Sequence, residues 1–258
     1  MVRNTSITPI IDTPRPIVAL GNDYPDGHLI PPHTHARGQV LYGFSGVVMV
    51  TTPTGTLVMP PQRGLWIPAG EVHSVRMVGA VRMRSVYIDP AAIPDMPGAC
   101  QVLAISPLLR HLLAAAVDIP LDYDLAGRDG ALVALLLHEL PRMASLPLAL
   151  PFPAHAGLAA RCQAFLAEPD SQETIDGWAA ALHMSRRAFT RLFRQETGLS
   201  FVEWRQQACL LAALPRLVSG EPVTTVALDL GYRNPASFTT MFRRSFGFPP
   251  RELGLMGG

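Results

Sequence analysis

The sequence predicts an α+β chain in two parts: an N-terminal antiparallel β-barrel followed by helices, then an all-α domain containing two helix-turn-helix units. Three observations support this. From about residue 15 to 90, valines and aromatics recur with period two and are broken by Gly and Pro, as in short antiparallel strands. From Thr174 to Arg251, an Ala-rich helix, a polar turn and a basic helix occur twice, as TIDGWAAALHMSRRAFTRLFRQETG and VTTVALDLGYRNPASFTTMFRRSFG. Between them, Leu146 to Pro153 carries Pro147, Pro151 and Pro153 and no helical period, which reads as an interdomain linker. The expected division is residues 1–95 for the barrel, 96–145 for a helical coupling segment, 146–155 for the linker and 156–258 for the helical domain.

A chain of 258 residues, 48% hydrophobic, can bury two cores. No apolar run approaches the ~20 residues of a membrane span. The N-terminal MVRNTSITPIID has no apolar stretch after its charge, so a cytoplasmic protein with no membrane partner is expected. Cys100, Cys162 and Cys209 are scattered and lack CxxC spacing, which suits reduced packing residues better than disulfides or a zinc knuckle.

In the barrel, QVLYGF, GVVMVTT, GTLVMP, GLWIP, HSVRMV and VRMRSVYI read as separate short strands, with a hairpin turn at Pro53, Thr54 and Gly55. Helix is expected to return after Pro97. Ser106 and Pro107 suit the N-cap and first position of a helix. The run GRDGALVALLLHELPRM is apolar on more than one face, so it must be buried in its domain or against a partner chain. Its stretch from Ala131 to Leu140 is the candidate surface for coupling or homodimerisation.

After the linker, a helix is expected from about Ala156 to Ala167. Asp170 and Glu173 have capping-box spacing and mark the next helix start. Ser185 caps the Arg-rich helix, which ends at Gly198, and a longer helix runs from about Phe201 to Val218. Pro215 inside it should kink or shorten it, at about 3 kcal/mol, unless packing compensates. Pro222 and Asn234-Pro235 open the two helices of the second unit.

The net charge is +1, but from Met184 to Arg251 ten arginines face four acids, an excess of +6 that leaves −5 elsewhere. That asymmetry suits phosphate binding by the C-terminal part. In the helix after Ser185, Phe189, Leu192 and Phe193 fall at i, i+3 and i+4 and should face the core. Arg187, Thr190, Arg191 and Arg194 then share the exposed side, where an arginine can bond guanine N7 and O6 in bidentate fashion or hold a phosphate. A connecting helix of about eighteen residues spans ~27 Å. With its turns it can set two reading helices near one DNA turn apart, ~34 Å.

From about Ala156 to Arg251 the sequence resembles the AraC/XylS-type transcription regulators. The resemblance rests on Ala179-Ala-Ala-Leu182, Ser185, Phe189-x-Arg191-x-Phe193, Gly198, GEPV, Ala227-x-x-Leu230-Gly231-Tyr232, Phe238-x-x-x-Phe242-Arg243 and Gly247-x-x-Pro250. It implies that Arg187, Thr190 and Arg191 read bases, with Arg186 making backbone or groove contacts. Asn234, Ser237, Thr239, Thr240, Arg243 and Arg244 are the corresponding candidates of the second unit. There the pattern departs: Thr240 stands where the family commonly has Arg, so weaker base reading is expected, with Arg243 and Arg244 on phosphate. Cys209 also replaces an Arg common in the connecting helix.

His33 and His35, two apart in an apparent strand, project from one face. The segments Gly27-x5-His33-x-His35-x3-Gln39-x6-Gly46 and Pro68-x-Gly70-x-x-His73 resemble the two cupin motifs, whose metal-binding members supply three His and one Glu. Gln39 stands at the Glu position and offers only a neutral oxygen. Two readings stay open: His33, His35 and His73, with Gln39, hold one divalent Zn, Ni or Fe ion, or they form a vestigial cluster whose histidines hydrogen-bond an organic effector or one another. His33, His35, Gln39, Tyr42, Trp66 and His73 are the candidate effector residues, with Tyr42, Phe44, Trp66 and Met77 alternatively barrel core.

The resemblances together imply a non-enzymatic, sequence-specific transcription regulator with a cupin-like sensor. Its expected partners are double-stranded DNA, a small-molecule effector, a second copy of the chain and RNA polymerase. The alternatives are a regulator for which the metal is the signal, and a metal-dependent cupin enzyme.

Overall fold

The computed structural model describes residues 13–146 and 148–253. The reading of the first twelve residues, and Pro147 of the expected linker, lie outside them. Two compact units emerge, one of residues 13–52 and 57–146, the other of residues 53–56 and 148–253 within the described range.

The first unit is an antiparallel sheet with two helices on one face. Its strands are β1 (Ile17–Tyr24), β2 (Leu29–His33), β3 (Gly38–Thr52), β4 (Gly55–Met59), β5 (Arg63–Ile67), β6 (His73–Ile88), β7 (Gln101–Ala104) and β8 (Ser145–Leu146). They run in the order β1-β6-β3-β5-β7-β8, with β2 on β6 and β4 on β3. The expected short strands are corrected: four of them merge into the fifteen-residue β3 and the sixteen-residue β6. The Gly and Pro punctuation that suggested breaks instead bends continuous strands. The register between β3 and β6 shifts around Ser45, whose hydroxyl donates to the Ala80 carbonyl and accepts from the Arg82 N–H. Gly46 there has φ +70°, and a Cβ on it would lie 2.6 Å from Val81 and 2.8 Å from the Ala80 carbonyl, so the bulge requires glycine. The Pro53-Thr54 turn joins β3 to β4 as expected.

Helix does not return directly after Pro97, because β7 first extends the sheet along β5. Then α1 (Pro107–Ala116) starts with the Ser106 hydroxyl accepting from the Leu109 N–H and Pro107 at its first position, as the sequence indicated. It packs with α2 (Arg128–Glu139) in one core holding Val40, Tyr42, Trp66, Val86, Leu109, Leu113, Val133 and Leu136. The second apolar face of α2 stays exposed, with Leu135 39% accessible.

The second unit contains a short strand, β9 (Ala149–Pro151), within the expected linker, followed by α3 (Ala156–Ala167), α4 (Ile175–Ala181), α5 (Arg186–Thr197), α6 (Phe201–Val218), α7 (Val223–Asp229) and α8 (Pro235–Phe246). The linker segment is thus ordered against its own unit: the Phe152 N–H donates to the Thr54 carbonyl and the Trp204 indole to the Pro151 carbonyl. Trp178 of α4 centres the first core, with the rings of Phe165, Phe189, Phe193, Phe201 and Trp204 at 4.8–6.3 Å. Phe238, Phe242, Phe246 and Phe248 form the smaller second core.

Three local expectations change. The cap of α4 is Thr174, whose hydroxyl accepts from the Gly177 N–H, while Asp170 turns its carboxylate to the Gln172 N–H in the preceding loop. Pro222 is the N-cap of α7 and not its first residue. Pro215 neither shortens nor interrupts α6; it sits in the last turn, flanked by buried Leu214 and Leu217, where only one helical bond is forgone.

Candidate nucleic-acid interface and histidine cluster

The two helix-turn-helix units share one plan. In each, a seven-residue helix leads through a turn to a twelve-residue helix that ends at a left-handed glycine, Gly198 or Gly247. The turn is closed alike, the Met184 N–H donating to the Ala179 carbonyl and the Tyr232 N–H to the Ala227 carbonyl. Ser185 caps α5 and Asn234 caps α8, each accepting from a first-turn N–H.

On α5 the buried face is Phe189, Phe193 and Thr197, and Arg187, Thr190, Arg191 and Arg194 are exposed on the other side. Among the described residues, Arg187, Arg191 and Arg194 make no salt bridge, so their guanidinium groups remain available to an external anion or base edge. Arg186 is exposed too, but it is paired within the protein. It forms an ion pair at 2.9 Å with Asp176 of α4, so its first partner is the protein itself. Two other arginines of the basic excess are also spoken for. Arg205 donates to the Glu173 carbonyl, and Arg216 bridges Glu221 at 2.7 Å and Asp229 at 2.5 Å. The two carboxylates hold the Arg216 guanidinium pKa above its ordinary value.

On α8 the candidates are weaker. Asn234 spends its side-chain oxygen on the cap, Thr239 is half-buried, and the Thr240 hydroxyl donates to the Ala236 carbonyl. Ser237, Arg243 and Arg244 are exposed, the arginines in the last turn.

In the first unit, His33, His35 and His73 come together, with one ring nitrogen of each lying within 4.8 Å of the others. His33 ends β2 directly opposite His73, which opens β6. His35 and His73 are buried and His33 half-buried. All three Nδ1 atoms face a carbonyl two residues away: Pro31 at 2.9 Å, Arg37 at 2.5 Å and Glu71 at 2.9 Å. A carbonyl only accepts, so each Nδ1 carries the proton and each Nε2 presents a lone pair. The His73 Nε2 is buried without a partner. Burial lowers the pKa of His35 and brings that of His73 down to about 4, favouring neutral rings.

Gln39 joins this group. Its Oε1 lies 3.0 Å from the His35 Nε2, and its amide nitrogen donates to the Tyr87 hydroxyl at 2.7 Å. Tyr87 was not among the sequence candidates. It faces Gln39 across the β3–β6 ladder and stacks edge-on against His35 at 5.3 Å. Its signal in the sequence is the alternation of VYI, but only the register of two strands 48 residues apart identifies it.

Tyr42 and Trp66 do not belong to the cluster. Side chains alternate along β3, so Gln39 and Tyr42 point to opposite faces, and Trp66 pairs with Val40 on Tyr42's face. Both are core against α1 and α2. The Trp66 ring lies over Gly38, and its indole donates to the Pro97 carbonyl.

Comparison with known proteins agrees with both halves. Residues 178–254 match the helix-turn-helix domain family, and residues 16–144 match the AraC-like ligand binding domain. The chain is 34% identical over 220 residues to the HTH-type transcriptional regulator NimR of Escherichia coli K12, covering 85% of this chain and 80% of NimR. It is 25% identical over 230 residues to the uncharacterized HTH-type transcriptional regulator YobQ of Bacillus subtilis, covering 85% and 86%. To the arabinose operon regulatory protein of Escherichia coli K12 it is 29% identical over 137 residues, covering 49% of this chain and 45% of that one. The chain therefore belongs to the AraC family of transcription regulators, carrying an AraC-like ligand-binding domain and a DNA-binding helix-turn-helix domain.

Proposed function

We propose that α5 is the base-reading helix of this regulator, with Arg187, Thr190 and Arg191 at base edges and Arg194 on phosphate, while α8 grips the backbone through Arg243 and Arg244. The observation that carries this reading is the exposed side of α5, where three arginines without an ion pair among the described residues stand opposite the buried Phe189 and Phe193. Thr190 donates its hydroxyl proton to the Arg186 carbonyl, which leaves its methyl and lone pairs for a base edge. An eighteen-residue α6 separates the two units by ~27 Å of helix. Footprinting on the cognate operator tests the pair: two protected major grooves about 10 bp apart per subunit are expected, and a single protected groove contradicts it.

The exposed side of α2, with Ala131, Ala134 and Leu135, supports a homodimer through this helix. Leu135→Glu should then lower the sedimentation mass from dimer to monomer. No helix among the described residues is long and apolar enough to cross a membrane.

The histidine cluster supports a bound divalent metal, Zn, Ni or Fe, in the effector domain. With Nδ1 protonated, the lone pair of His35 Nε2 meets a lone pair of Gln39 Oε1 at 3.0 Å, an unfavourable contact. Turning the amide over removes that conflict but leaves the buried His73 Nε2 without a partner. A cation among His33, His35, His73 and Gln39 satisfies both. Carbonyl-bound Nδ1–H groups are also what orients metal-ligating imidazoles. Tetrahedral sites set ligand nitrogens about 3.4 Å apart, so the rings must draw in from their 4.8 Å limit by up to about 1.4 Å. A bound ion would supply Lewis acidity and an exchangeable coordination position. Elemental analysis of purified protein tests it: about one metal per chain is expected, lost in His33→Ala/His35→Ala, and a metal-free wild type contradicts it.

A further inference from the structure

The donor set of the histidine cluster carries no negative charge. Three neutral imidazoles and the Gln39 amide would surround a dication, and no carboxylate or thiolate belongs to the group among the described residues. Tyr87, the remaining polar neighbour, offers a hydroxyl that accepts from the Gln39 amide. A buried dication without a compensating anion is costly, and no described residue of the group supplies one, so the charge must come from outside, as hydroxide from bound water or as an anion that displaces it. His33, half-buried where its two companions are buried, is the member nearest to solvent. We infer that the effector of this regulator is a small organic anion, a carboxylate or phenolate, that ligates the metal directly on the His33 side of the cluster. This rests on the metal reading above, and it narrows the effector class from any small molecule to one that brings its own negative charge.

Gln39 is the residue that creates the requirement. A carboxylate at this position, 3.0 Å from the His35 nitrogen, would neutralise half of the metal charge from within the protein. In this chain that charge is left for the effector to supply. The neighbouring hydrogen bond between Gln39 and Tyr87 adds no charge.

The test uses the full chain loaded with Co²⁺, whose visible ligand-field bands report its coordination, titrated with acetate, with azide and with acetamide as the neutral counterpart of acetate. Wild type should show saturable band shifts with acetate and azide and none with acetamide. In Gln39→Glu the Co²⁺ should remain bound while the apparent anion affinity falls at least tenfold. Bands unmoved by either anion, an equal response to acetamide, or undiminished anion binding by Gln39→Glu would each overturn the inference while leaving the metal intact. Absence of any Co²⁺ band, with elemental analysis confirming no uptake, would instead overturn the metal reading and this inference with it.

Discussion

Arg191 and Thr240 occupy the same position of the two reading helices, each two residues past the first buried phenylalanine, Phe189 and Phe238. Both are exposed, yet only Arg191 carries a fork of donors long enough for a base edge; the Thr240 hydroxyl already donates to the Ala236 carbonyl. Arg191→Ala should weaken operator binding by about 1–3 kcal/mol and relax preference at one base pair. Thr240→Ala should change it by less than about 0.5 kcal/mol, since this short side chain lacks the reach and the donor fork of an arginine. Mobility-shift titrations on the operator and its point variants measure both, and equal losses would contradict unequal reading by the two helices.

The turns of the two units differ at one backbone position. His183 adopts φ +54° where the second unit has Gly231 at φ +78°. A side chain in this left-handed region costs roughly 1–2 kcal/mol, which glycine avoids at some expense in unfolded-state entropy. His183→Gly should therefore raise stability by up to about 1 kcal/mol. Gly231→Ala should lower it by more, because the added Cβ would lie 2.0 Å from an Asp170 carboxylate oxygen as well as straining the backbone. Urea unfolding midpoints of the two variants give the comparison; a stabilised Gly231→Ala would contradict it.

What the sequence disclosed depended on whether a signal was local. The phenylalanines of α5 and α8, the caps Ser185 and Ser106 and the helix end at Gly198 follow from spacing within one helix, and the structure repeats them. The histidine motif brings His33 and His73 together across the β2–β6 pair, but the expected single strand for His33 and His35 is corrected: β2 ends at His33, and His35 joins the cluster from the loop before β3. Period two also separates Gln39 from Tyr42, but which face of β3 meets the helices is set by α1 and α2, far along the chain. Tyr87 needed the β3–β6 register, and that register passes through a bulge at Ser45 that Gly46 alone does not announce. Asp170 had the chemistry of a helix cap, yet its loop is held elsewhere: the Ser171 N–H donates to the Leu230 carbonyl and the Gln172 amide to the Gly231 carbonyl. A tertiary contact 59 residues away chose between two equally good local caps.

All three cysteines should be inert in the native protein. Burial pushes the thiols of Cys100, Cys162 and Cys209 up to about 12. At pH 8 a thiol titrating there is ionised to roughly one part in ten thousand, and the thiolate is the reactive form. Iodoacetamide at pH 8 should label none of them in the folded chain and all three in guanidinium chloride, read by mass spectrometry. Rapid labelling of any one in the native state would contradict the burial that raises it.

The start of α6 should give a small acid-sensitive contribution to stability. The Ser200 hydroxyl accepts from the Glu203 N–H, and the Glu203 carboxylate accepts from the Ser200 N–H at 2.8 Å, closing a capping box. The hydrogen bonds to Ser200 lower the Glu203 pKa below 4.5, with the charge of Arg194 adding to the effect. A carboxyl group with a depressed folded-state pKa binds protons more readily when unfolded, so its contribution is full above the unfolded value and fades as the pH falls through the folded one. Glu203→Gln retains an acceptor but no charge. Wild type should therefore melt above Glu203→Gln at pH 7, and the gap should narrow steadily as the pH falls below 4.5. A gap that is constant from pH 7 to pH 3 would mean that the shape of the side chain, and not its ionisation, carries the cap.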